Sequence, residues 1–156
     1  MKTRTVPHPM PYQGSKRNLA IDILRYFPPK FTTLYEPFAG SSAITIAAAV
    51  NGLGDYYHIN DLNKPLMDLW RAIIEMPQQI ASQYETLWKE QLDDSRSFYD
   101  KVRADFNRTG KPDLFLYLLA RCVKGAVRYN SQGEFNQSPD NRRQGMKPET
   151  MRLQIL

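Results

Sequence analysis

Residues 32–61 read TTLYEPFAGSSAITIAAAVNGLGDYYHIND, and the order of residue types in that stretch decides the fold class. Residues 32–36 (TTLYE) form a short β-prone run, and the small-residue turn 37–42 (PFAGSS) follows it. An alanine-rich segment, 43–50, has helical character and is closed by Asn51-Gly52-Leu53-Gly54, the punctuation expected after a helix. Residues 56–60 (YYHIN) then make a second short strand that ends on Asp61. Strand, turn, helix, strand and acid in that order define a βαβ unit.

In an open α/β sheet, ligands bind beyond the carboxyl ends of the strands. The turn after the first strand must let a ligand approach the backbone, which small residues permit. A carboxylate after the second strand can accept both hydroxyls of a ribose, because an ionised carboxylate is acceptor-only and bidentate. Gly40-Ser41-Ser42 supplies the turn and Asp61 the acid, 21 positions after Gly40. That spacing suits a dinucleotide or S-adenosylmethionine (SAM). The turn lacks the three spaced glycines of the dinucleotide fingerprint, which argues against NAD. An alternative stays open, since Asp61 also precedes a helical pattern and an acid there can simply cap a helix.

Outward from this unit, residues 16–27 carry apolar positions at helical spacing until Pro28-Pro29 stops them, and residues 1–14 read as an irregular, proline-rich entry. Helical patterns follow over 63–75, 77–89, 95–107 and 114–127. From Arg128 onward, turn formers and charge replace apolar periodicity, predicting a loop or hairpin. The expected organisation is an α/β cofactor-binding part over 1–76 and a mainly helical part over 77–156 with a basic hairpin at 124–145.

At 156 residues, with 42% hydrophobic and 12% aromatic content, the chain suits one folded domain, or one with a modest appendage. Its longest apolar stretch, 41–50, is too short to span a bilayer, and the N-terminus has no apolar signal core. One cysteine, Cys122, excludes an internal disulfide, and with only His8 and His58 beside it no metal site is expected. A cytoplasmic location is expected. Net charge is +5, and basic residues concentrate in 121–156 while acids dominate 54–100. Clustered Lys and Arg are what neutralise phosphates, so the tail points towards nucleic acid.

At Glu36-Pro37-Phe38-Ala39-Gly40 the sequence resembles the SAM-binding motif of the DNA adenine methylase family. Three further stretches resemble that family in the family's order. They are Pro11-Tyr12-Gln13-Gly14-Ser15-Lys16, the D-x-N segment in His58-Ile59-Asn60-Asp61-Leu62-Asn63, and Arg128-Tyr129-Asn130-Ser131-Gln132-Gly133-Glu134-Phe135-Asn136. The resemblance implies a Rossmann-like SAM-dependent methyltransferase fold, here with an incomplete sheet, and a helical, hairpin-bearing target-recognition region. It implies SAM as cofactor and double-stranded DNA as partner. Glu36 belongs to the SAM motif; Phe38 would pack near the cofactor, Gly40 would admit it to the main chain, and Asp61 would hold its ribose. Tyr12 and Lys16 would close the pocket from the N-terminal side. The plainer readings are a core aromatic for Phe38 and a surface aromatic for Tyr12. Ser42 stands where many members have a second glycine, which speaks against left-handed geometry there.

In the recognition region, Arg128 is the candidate for base-edge contact, because guanidinium pairs bidentately with guanine. Asn130 lies in the same motif, and Lys124, Arg142 and Arg143 would contact phosphate. The alternative for Arg142-Arg143 is a solvated charged loop. Val123 and Lys124 stand where readers of GATC carry an aromatic and an asparagine, so a GATC target does not follow.

To methylate adenine N6 an enzyme must hold the flipped base beside the methyl donor, and in this family a D-P-P-Y motif does so. No such motif occurs in the sequence, and Pro28-Pro29, flanked by Phe27 and Lys30, cannot stand in. No catalytic residue is therefore assigned. The expectation is a methyltransferase component, inactive alone, completed by a second polypeptide or a C-terminal half. The alternatives are a non-catalytic DNA-binding module and a small-molecule SAM enzyme.

Overall fold

The computed structural model describes residues 6–156; the first five residues of the expected entry segment lie outside the described residues. The chain divides into two compact units. The first holds residues up to His8 together with Gly14–Asn63, and the second holds Pro9–Gln13 with Lys64–Leu156. This division by packing comes earlier in the chain than the functional boundary expected at 76/77.

In the first unit a 3-10 turn (Arg17–Leu19) leads into α1 (Ala20–Leu24), β1 (Phe31–Glu36), α2 (Ala43–Val50) and β2 (Gly54–Ile59). β1 and β2 pair in parallel, with Phe31 opposite Gly54 and Glu36 opposite Ile59. Parallel neighbours require a crossover, and α2 provides it while packing on both strands. Ala20, Ala47 and Ala48 are fully buried in one cluster with the buried Val6 and Leu24, and Leu34, Ile44, Leu53 and Tyr57 close around them. Small side chains on α2 let helix and sheet approach closely. Gly54 is required by its partner strand: a Cβ there would lie 2.4 Å from the Phe31 ring.

The helix expected over 16–27 is shorter in the structure. The N-cap residues of its two turns, Lys16 and Leu19, make no capping bond with their side chains. Beyond Leu24 the amides of Tyr26 and Phe27 bond back three residues rather than four, tightening the chain before Pro28-Pro29.

The second unit is helical: α3 (Lys64–Glu75), α4 (Pro77–Glu90), α5 (Ser95–Thr109), α6 (Pro112–Arg121) and α7 (Pro148–Ile155). Three of these helices begin on proline, whose missing N–H would be unpaired there anyway. α6 is the axis of the unit. It is buried from Leu114 to Arg121 and packs against α3, α4 and α5. Phe106 stacks on Phe115 with centroids 5.0 Å apart, and Phe98 meets Tyr117 edge-on at 5.6 Å. α5 starts on Asp94, whose carboxylate accepts the Ser97 amide at 3.1 Å, and stops at the left-handed Gly110.

Two expectations are corrected here. The helix expected to reach residue 127 ends at Arg121. Cys122 turns extended and bridges Pro139 antiparallel, and the Val123 amide donates to Ser138 O at 3.1 Å; this pairing breaks the α-helix, and only a 3-10 turn (Val123–Gly125) follows. The region after Arg128, read as devoid of helix, contains α7. Only Pro148 and Met151 of α7 are buried, too few to produce an apolar period. No helix among the described residues is long and apolar enough to cross a membrane.

Candidate functional site

The parallel register brings the carboxyl ends of β1 and β2 side by side, and the loop 37–42 crosses above them. Backbone bonds continue past the strands: the Asn60 amide donates to Glu36 O at 3.0 Å, and the Ala39 amide to Asn60 O at 2.8 Å. These bonds fix Gly40, at φ +49°, so that its N–H donates to Asp61 Oδ2 at 3.0 Å. Asp61 Oδ1 accepts the Asn63 amide, also at 3.0 Å. Each carboxylate oxygen has two lone-pair directions, so Asp61 organises the loop and retains acceptor capacity for a diol. The helix-cap alternative is thus partly realised, in the form of the Asn63 bond.

Phe38 is 88% exposed, which removes the core-aromatic alternative and leaves its ring available beside the loop. Glu36 is directed to α2: its Oε2 accepts the Thr45 amide at 3.1 Å and the Thr45 hydroxyl, anchoring the first turn of that helix. Lys16 is exposed, and its ammonium donates to Gly14 O at 3.2 Å. Ser15 was not singled out by sequence; its hydroxyl accepts from Ser41 Oγ at 2.8 Å and ties the N-terminal segment to the loop. Tyr12 falls in the other compact unit.

Ser42 departs from expectation. It adopts φ 50°, ψ 32°, the left-handed geometry its side chain argued against, and its amide closes a turn onto Ala39 O at 2.7 Å. Ser42 is 1% exposed, and its hydroxyl has no hydrogen-bond partner among the described residues. A buried hydroxyl without a partner at a helix N-terminus is a group that a polar ligand or a water satisfies. With the acceptors of Asp61, the bare Phe38 ring and the close-approach Gly40, the residues present fit a nucleoside.

In the second unit, residues 128–136 form a tight hairpin. Tyr129 bridges Phe135 antiparallel, and the Asn136 amide donates to Arg128 O at 3.0 Å. Asn130 builds the turn: its Oδ1 accepts the amides of Gln132 and Glu134 at 3.0 and 2.9 Å, and its Nδ2 donates to Glu134 Oε2 at 2.9 Å. Asn107, for which the sequence held no signal, docks the hairpin on α5. Its side chain accepts the Phe135 amide at 2.8 Å and donates to Phe135 O at 3.1 Å. Tyr99 adds a bond to Gln137 O at 2.8 Å. Arg128 is exposed at the hairpin base, and Lys124 is exposed in a left-handed conformation at φ 60°.

Arg142 and Arg143 both bind Asp140, a residue the sequence reading passed over. Asp140 Oδ1 accepts from Arg142 Nε at 2.9 Å, and Oδ2 from Arg142 Nη2 at 3.1 Å and Arg143 Nε at 2.9 Å. Hydrogen bonds from Arg142 hold the Asp140 carboxyl well below the usual carboxylate range. Burial has the reverse effect at Cys122, pushing its thiol up to about 11 and keeping it protonated and unreactive near neutrality.

A two-stranded parallel α/β element with a loop-and-carboxylate cradle, followed in the chain by a helical unit bearing a short hairpin, defines a mixed α/β protein. The sequence profile of the D12 class N6 adenine-specific DNA methyltransferases matches residues 12–154, and the chain belongs to that family. It is similar to the DNA adenine methylase of Serratia marcescens, with 32% identity over 129 residues covering 80% of this chain and 46% of the relative. It is also similar to the Type II methyltransferase M1.LlaDCHI of Lactococcus lactis subsp. cremoris, with 28% identity over 80% of this chain and 44% of the relative. The Retron Ec67 DNA adenine methylase of Escherichia coli is 29% identical over the same shares. The chain spans less than half the length of each of these relatives.

Proposed function

We propose that this chain is the SAM-binding and duplex-reading part of a site-specific DNA adenine-N6 methyltransferase. The carrying observation is the bond from the Gly40 amide to Asp61 at 3.0 Å, which joins the loop after β1 to the acid after β2 in one cradle. In this reading the first unit is the start of a Rossmann-like sheet, with Asp61 on the ribose, Phe38 against the adenosyl part and Gly40 at the point of closest approach. Glu36 supports the cradle by anchoring α2, and Lys16 flanks it. SAM supplies the methyl group. The part beyond residue 76 is the target-recognition region, with Arg128 at base edges and Lys124, Arg142 and Arg143 at phosphates. Asn130 contributes by shaping the hairpin.

Methyl transfer additionally requires a D-P-P-Y-bearing segment, which these 156 residues lack. In our reading a second polypeptide or further C-terminal sequence brings it, and the present residues alone are inactive. That same absence favours a second reading, a DNA-binding module without chemistry.

Calorimetric titration with SAM tests the cradle. Charge-assisted bonds to the ribose are worth about 1.5–3 kcal/mol, so Asp61→Ala is expected to weaken SAM about 10- to 100-fold. Equal affinity for the variant and the unaltered chain would remove Asp61 from the ribose role.

A further inference from the structure

The loop 140–146 is held by its carbonyl groups, and the groups that hold it come from the core of the second unit. Arg121, on α6 and only 2% exposed, donates through Nη1 to Asp140 O at 3.1 Å and to Arg143 O. Gln91 Nε2 donates to Gln144 O at 3.0 Å, and the Tyr84 hydroxyl to Met146 O at 2.6 Å. Gln91 is itself fixed by the Tyr117 hydroxyl at 3.0 Å. Gly145, at φ +83°, passes so close to α6 that a Cβ would lie 3.2 Å from Ala120 O. Four backbone carbonyls of one short segment thus bind buried donors, which leaves the segment little freedom.

On this rigid segment the charges are arranged with opposite exposure. The Asp140 side chain is 3% exposed, whereas those of Arg142 and Arg143 are 83% and 63% exposed. The carboxylate grips Arg142 by Nε and Nη2 and Arg143 by Nε, so Arg142 Nη1 and both Nη groups of Arg143 are the donors not used on Asp140. A surface ion pair between mobile side chains has no such buried member. Fixing two guanidiniums before a ligand arrives removes the cost of ordering two long side chains on binding.

We propose that Asp140 is a positioning residue: anchored through Arg121, it pre-orients Arg142 and Arg143 as a two-guanidinium clamp for the phosphodiester backbone of duplex DNA. This rests on the DNA-binding reading above and adds to it the element that sets the geometry of the contact.

The test uses the whole chain, a fluorescently labelled duplex and anisotropy titrations over a series of KCl concentrations. Charge alone and positioning predict opposite signs for Asp140→Asn. Removal of a negative charge from a DNA-binding surface raises affinity if Asp140 merely neutralises its neighbours. Loss of the anchor lowers it, by about threefold to tenfold for each side chain that must then be ordered on binding. The loss persists on extrapolation to 1 M salt, where counterion release no longer contributes. Tighter binding by Asp140→Asn would overturn the proposal. Should that variant fail to fold by circular dichroism, Arg142→Lys decides. It keeps the charge at an exposed position, and the expected result is weaker binding with an unchanged salt slope. Equal affinity for Arg142→Lys and the unaltered chain would overturn the proposal. Absence of salt-dependent binding by the unaltered chain would overturn the DNA reading itself, a result separate from any ordering among variants.

Discussion

Ser42 combines two local costs at one position. An L-residue in the left-handed region is strained by about 1–2 kcal/mol, and Ser42, at φ 50°, is such a residue. Its hydroxyl is buried without a partner among the described residues. Ser42→Gly relieves both and is expected to raise unfolding free energy by about 0.5–1 kcal/mol in urea titrations, after the greater entropy of glycine in the unfolded chain is offset. A stability decrease would show that the hydroxyl has a partner in solution. Sequence could name the residue and its departure from glycine but not its conformation. That conformation comes from the turn onto Ala39 O and the start of α2, both of which bind through the backbone. The meeting of Gly40 and Asp61 was easier to read, because a loop after one strand and an acid after the next are ordered along the chain itself.

Elements with a strong apolar period or explicit punctuation were legible from sequence. α2 matches its expected limits, closed by Asn51-Gly52, and α3, α4 and α5 lie within a few residues of theirs. Elements whose limits depend on distant partners were not. The end of α6 is set by pairing with residues 138–139, and α7 has too few buried residues to betray itself, although Pro148, Glu149 and Arg152 are the residue types favoured at its first and last turns. The hairpin was visible as a cluster of turn formers, yet its attachment to α5 through Asn107 was not, since one asparagine 28 positions away carries no pattern. Asn107→Ala leaves the amide and carbonyl of Phe135 unpaired beside a side chain that is almost wholly buried. The expected cost is about 1–3 kcal/mol in chemical unfolding, with faster proteolytic cleavage within 130–134. Unchanged stability together with unchanged cleavage would mean that the Phe135 ring alone seats the hairpin.

The two compact units differ in what their cores contain. The first rests on a two-stranded sheet and a cluster of which Ala20, Ala47 and Ala48 are the fully buried members. The second buries Tyr84, Tyr99, Phe115, Tyr117 and Phe135 around α6. A two-stranded sheet is marginal by itself, and burial scales with apolar area, so the first unit should open at lower free energy than the second. Hydrogen exchange on the native chain is therefore expected to show amides of α6 exchanging last and those of β1 and β2 earlier, by a sub-global opening. Ligand binding gives this difference a use. SAM at a hundredfold excess over its dissociation constant stabilises the state that binds it by about 2.7 kcal/mol. If the cradle at Gly40 and Asp61 is the site, the sub-global opening of 31–61 and the global opening reported by α6 both release SAM, so protection rises by that amount in both. Protection confined to α6, with 31–61 unchanged, would mean that SAM stays bound while the first unit opens, and would remove the cradle from cofactor binding.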